Sequence, residues 1–198
     1  MKEPIQLDPH AGDARVWLDF ACVNYLGSQA LFENPNIALV FCAATLGHLA
    51  LEMCLKTALI CHGLTIFHPR EVKDLDPNIQ LAGADCVWGH GLIVLAERLE
   101  NLTQGFSLSD ALDVPEYIGF SETPPTTIRA GLQIFDPFFT ELRYPSELEQ
   151  VSGIGPDERF LLKALVSGIV KTLNSPCSEE LFWKRLDELA AMPTILPK

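Results

Sequence analysis

The stretch "LGHLALEMCLKTALI", Leu46 to Ile60, sets three ionisable side chains in an otherwise apolar run. His48, Glu52 and Lys56 recur at four-residue steps. On a helix they share one face, within about 80° together with Thr45. Glu52 followed by Lys56 is the favoured orientation for an ion pair along a helix. The face can be a thin solvated seam or a buried polar network that fixes packing register. It can also open on a pocket that Glu52 and Lys56 share with His90 or Arg143. A metal held by His48 and Glu52 would need further ligands, and none stands at ligand spacing, so no metal and no other cofactor is expected.

His90 lies between Gly89 and Gly91, next to Trp88. Its imidazole either bonds nearby backbone at a helix start or works as a titratable group in a groove between helices. The flanking glycines allow close backbone approach under both readings. Arg143-Tyr144-Pro145 closes a helix. Arg143 can complement the helix dipole there, or grip a phosphate or carboxylate with its guanidinium. Tyr144 can pack its ring and present its hydroxyl to a partner. Glu52, Lys56, His90, Arg143 and Tyr144 are therefore the candidate ligand-binding residues, and no residue is assigned a catalytic role. Cys61 and His62 point about 100° apart on a helix and do not meet as a nucleophile and its base. "VSGIGPDER" has neither the lysine nor the preceding strand of a phosphate-binding loop.

The elements that position these residues read as helices. Asp13 caps a first helix that ends near Glu33. Asn34 and Pro35 open a second, which runs to about His62, where Gly63 stops it. At about 1.5 Å per residue this helix is about 40 Å long, and being apolar on most sides it should be the centre of a bundle. Residues 64–85 form a proline-containing connector. "LIVLAERLENL" follows, with Leu92, Leu95, Ala96, Leu99 and Leu102 as its inward stripe. "IRAGLQIFDPFFTEL" is broken at Asp136-Pro137, where a kink or restart is expected. Asp157 caps "ERFLLKALVSGIVKTL", and Ser178 starts a last helix over about 178–191. No segment alternates as a strand does. The expected fold is all-α: one domain over 1–198, a bundle of about five or six helices with two long interhelical loops and a core over about 15–175.

Composition bounds the rest. A chain of 198 residues can bury roughly 70% of its unfolded surface and needs no disulfide or metal staple. Its net charge of −12 disfavours a protein that coats nucleic acid or an anionic membrane. "MKEPIQLDPHAGDARVW" holds no apolar signal segment. Six cysteines without a C-x-x-C pair read as reduced, core-packed thiols, so a cytoplasmic location is expected. His48, Glu52 and Lys56 interrupt the best membrane-span candidate, and no membrane association is expected.

Three stretches stand in an order that resembles the HEPN superfamily of small helical bundles: "HLALEMCLKTALICHG", then "GHGLIVLAERL", then "ELRYP". The resemblance covers roughly residues 15–175. It implies a helix carrying a glutamate and then a lysine four residues on, here Glu52 and Lys56, a "GHDL"-like helix start and an "LRYP"-like turn. Many such proteins are metal-independent ribonucleases of toxin–antitoxin and defence systems, marked by an arginine four to six residues before a histidine. None of Arg15, Arg70, Arg98, Arg129, Arg143, Arg159 and Arg185 stands at that distance before a histidine. The "GHDL" aspartate is also replaced, by Gly91. The resemblance therefore implies a non-catalytic homodimer that binds a nucleotide, RNA or a partner protein. The alternative is a ribonuclease or nucleotide-modifying enzyme with a different site around His90 and Arg143.

Overall fold

The computed structural model describes residues 13–66, 86–87, 90–114, 117, 124–140 and 154–192. Helix α1, Ala14–Phe32, starts where the Asp13 carboxylate accepts from the Arg15 backbone N–H at 2.9 Å. The next helix begins later than its sequence suggests. The Asn34 side chain takes the N–H of Asn36 and that of Asn36 takes the N–H of Ala38. These two local bonds compete with helix formation. A 3-10 turn over Ile37–Leu39 leads into α2, Val40–Cys61. With 22 residues, α2 is about 33 Å long rather than about 40 Å.

Gly63 ends α2 as expected. Its φ of 89° suits glycine, and the Gly63 and Leu64 N–H groups fold back onto the Ile60 and Leu59 carbonyls. This is the glycine-terminated double cap of a helix C-terminus. By length and composition α2 could cross a membrane, yet 67% of its most apolar window is buried within the fold. It packs against α1 and the helices that follow, as the core helix of a bundle. Thr65–Ile66 and Cys86–Val87 pair as two parallel two-residue strands, β1 and β2. Periodicity could not show so short a pairing at the two ends of the connector.

Helix α3, Leu92–Leu102, has the expected bounds. Leu92, Leu95, Ala96 and Leu99 are buried, but Leu102 in the last turn is 42% exposed, outside the expected stripe. Helix α4, Ile128–Phe135, is capped by Thr127, and a one-turn helix, α5, restarts at Pro137–Thr140, as the proline requires. Helix α6 is Glu158–Val170 and α7 is Glu179–Ala190, the latter capped by Ser178 at 3.1 Å. Tyr25, Phe182 and Trp183 meet edge to face, with centroids 5.1–6.5 Å apart, and dock α7 on α1. Among the described residues the fold is all-α apart from the short strand pair and an isolated bridge between Ala111 and Thr127.

Asp157 makes no side-chain capping bond. The neighbouring Glu158 is fully buried and accepts from the Gly155 N–H at 2.6 Å and the Tyr117 hydroxyl at 3.1 Å. Burial raises its pKa above the ordinary 4.5, against the lowering effect of these bonds. A raised folded pKa means its stabilising contribution is complete below the unfolded value and fades as pH rises through the folded one. Glu158→Gln should therefore gain on the wild type as pH climbs above 4.5. Melting temperatures of both proteins across that range test this; a parallel pair of curves refutes it.

Candidate functional site

The face singled out in the sequence is buried, so the solvated seam is excluded. His48 and Glu52 are inaccessible and Lys56 is 5% exposed. Lys56 Nζ donates to Glu52 Oε1 at 2.5 Å, in the four-residue register that brings the two side chains together. Behind Lys56 the Trp17 ring lies 5.3 Å from the ammonium, within cation–π range. His48 reaches the Phe135 carbonyl through Nδ1 at 2.9 Å, and its Nε2 lies 3.6 Å from Glu52 Oε2.

His90 arrives from another part of the chain. Its Nδ1 faces both carboxylate oxygens of Glu52, at 3.0 and 3.1 Å. The fold thus joins Glu52 and Lys56 to His90 in one polar network. The imidazole does not cap α3; Gly91 holds the N-cap position without a side-chain bond. Asp136 supplies that bond from between α4 and α5, its Oδ1 accepting from the Leu92 N–H at 2.6 Å. A carboxylate from a distant element thus satisfies the first N–H of α3. Sequence reasoning took Asp136 as a helix break and missed this role, and it also missed Trp17. Neither has a local signal, because the partner in each case is distant along the chain.

The electrostatics turn on Glu52. Burial pushes its carboxyl pKa up, but His48, the Lys56 ammonium and His90 together outweigh burial and hold it below 4.5. The carboxylate is therefore a fixed buried anion that orients two cationic or donor groups. His90 is the cluster's exposed member, with 38% of its side chain accessible against 1% for Glu52. Among the described residues no group of three or more His, Cys, Asp or Glu is disposed to hold a metal ion. Arg143 and Tyr144 lie outside the described residues.

The chain matches no protein-family model, no curated protein and no solved structure.

Proposed function

We propose that this is a HEPN-like, non-catalytic binding protein that receives the phosphate of a nucleotide or of an RNA end at His90. The asymmetry of the cluster supports this reading. Glu52 and Lys56 neutralise each other inside the fold, while the exposed His90 is tied to Glu52 through Nδ1. A carboxylate that accepts from one imidazole nitrogen fixes the ring's orientation and tautomer, and the accessible part of that ring is what a docking ligand would meet. The net charge of −12 favours a small anionic ligand over a long nucleic acid. Arg143 and Tyr144 are proposed to complete the anion contact, and a cytoplasmic location is part of the same reading.

Calorimetric titration with adenosine monophosphate and with a 5′-phosphorylated oligoribonucleotide tests the proposal. His90→Ala should weaken binding about 10- to 100-fold, the loss of one charge-assisted hydrogen bond of about 1.5–3 kcal/mol. The variant also loses its bond to the buried Glu52 carboxylate, so its melting temperature should fall, and binding is compared at a temperature where both proteins are folded. Equal binding by the variant, or no binding of either probe by the wild type, overturns the phosphate reading and moves the argument to a protein partner. The carboxylate–imidazole pair is also the arrangement that general acid–base catalysis uses. RNA cleavage by the wild type that disappears in His90→Ala would establish the enzymatic alternative.

The protein is further proposed to pair as a homodimer through its first two helices. Phe20 and Val23, three residues apart on α1, expose 57% and 55% of their surfaces. Leu46, Leu49 and Met53 of α2 are partly buried, at helical spacing, with no charge among them. Native mass spectrometry should show twice the 21.9 kDa chain mass; a bare single-chain mass at micromolar concentration refutes pairing.

A further inference from the structure

Helices α1 and α7 enclose an open groove of about 310 Å³, lined by Arg15, Leu18 and Asp19 from α1 and by Leu181 and Arg185 from α7. None of these residues belongs to the Glu52 cluster. Arg15 and Asp19 stand one turn apart on α1, as do Leu181 and Arg185 on α7, so each pair shares a face of its helix. Leu18 is 2% exposed and Leu181 is partly buried against the core, which gives the groove an apolar floor between charged side chains. Arg15 could pair with Asp19 along the helix. The fold instead brings in Arg185, whose Nε donates to Asp19 Oδ1 at 2.7 Å and whose Nη1 donates to Glu188 Oε2 at 3.1 Å. Two groups are left over. Among the described residues the Arg15 guanidinium meets no carboxylate, and Asp19 Oδ2 meets no donor. Both are reachable, since Arg15 is exposed and the Asp19 side chain keeps 51% of its surface.

We propose that this groove binds a free α-amino acid with an apolar side chain. Arg15 holds the carboxylate, Asp19 Oδ2 accepts from the ammonium, and the ligand's side chain lies on Leu18 and Leu181. A planar guanidinium can grip a carboxylate through two parallel N–H groups. The left-over groups have opposite signs and stand one helical turn apart, where a zwitterion can bridge them. The charges around the groove also select the class. Arg15 and Arg185 are balanced by Asp19 and Glu188, and Asp13 adds a further carboxylate at the start of α1. A simple anion such as phosphate therefore finds no net positive field, whereas a zwitterion gains at both of its ends. A groove of about 310 Å³ stands at the lower end of the range of ligand pockets, about 300–1,000 Å³. It suits a single amino acid better than a nucleotide. The site is separate from His90 and does not rest on the phosphate reading.

L-Leucine is titrated into the full-length chain labelled with nitrogen-15, and binding is followed by amide chemical shifts. Saturable shifts are expected within residues 15–19 and 181–185 and none at His90. Three analogues each lack one recognised group: acetyl-leucine the ammonium, leucinamide the carboxylate and glycine the side chain. Each should bind the wild type at least about 10-fold more weakly than leucine. Arg15→Gln should weaken leucine by a similar factor and leave the titration with adenosine monophosphate unchanged, so failure here and failure of the phosphate reading are separate results. No shifts at millimolar leucine, shifts centred elsewhere in the fold, or an analogue that binds as well as leucine overturns the proposal. The analogue series uses the unmodified chain, so it decides the matter whether or not the variant folds.

Discussion

Lys56→Met should destabilise the protein by about 3–5 kcal/mol, the usual cost of removing one member of a buried ion pair. Methionine fills similar space, so little of the loss comes from packing. The cost arises because Glu52, fully inaccessible, keeps its charge without the ammonium beside it. His90 still donates to it, which argues for the lower part of the range. Adding Glu52→Gln to Lys56→Met should restore most of the lost stability, since no buried charge is then left and the amide oxygen can still accept from His90. Denaturant unfolding of the two single variants and the double variant at pH 7 measures this. A loss below about 1 kcal/mol in Lys56→Met would place the pair in solvent-like surroundings and contradict its burial. Acid titration gives an independent reading. Because the folded pKa of Glu52 lies below 4.5, its contribution is complete above the unfolded value and disappears as pH falls through the folded one. Glu52→Gln should lack that acid-side loss.

Phe135→Ala should cost about 3–5 kcal/mol through the cavity it leaves. The ring is fully buried and lies against Gly47, where an added Cβ would stand 2.9 Å from its Cε1. The Phe135 carbonyl holds His48, and the next residue, Asp136, caps α3. Loosening this turn should therefore disturb both the helix that follows His90 and the far end of the Glu52 face. Gly47 gives the test its sharpest form. Gly47→Ala alone should destabilise, because its methyl meets the Phe135 ring and, at 3.3 Å, Leu162. In the Phe135→Ala background the same change should become neutral or stabilising, since the ring is gone and alanine is the better helix former by about 1 kcal/mol. Additive effects in that double-mutant cycle would refute the contact.

Much of the helix layout was legible because its signals are local. Asp13 and Ser178 have side chains that cap the helices after them. Gly63 has the backbone freedom a helix stop needs, and Pro137 cannot continue α4. The late start of α2 was less legible, because Pro35 suggests a helix while Asn34 and Asn36 divert the N–H groups it would need. Asp157 illustrates the same limit: it has the right type for a cap, but its neighbour Glu158 takes the loop N–H.

The sequence by itself determined that His48, Glu52 and Lys56 share a face, because a helical repeat leaves no other arrangement. It determined that α2 would be a core helix, because a run apolar on most sides must be covered. Only the tertiary structure decided what that face meets. His90 on Glu52, Asp136 at the start of α3 and Trp17 over Lys56 are each contacts between residues far apart in the chain. Such contacts depend on how whole helices are set against one another, and no local pattern encodes that.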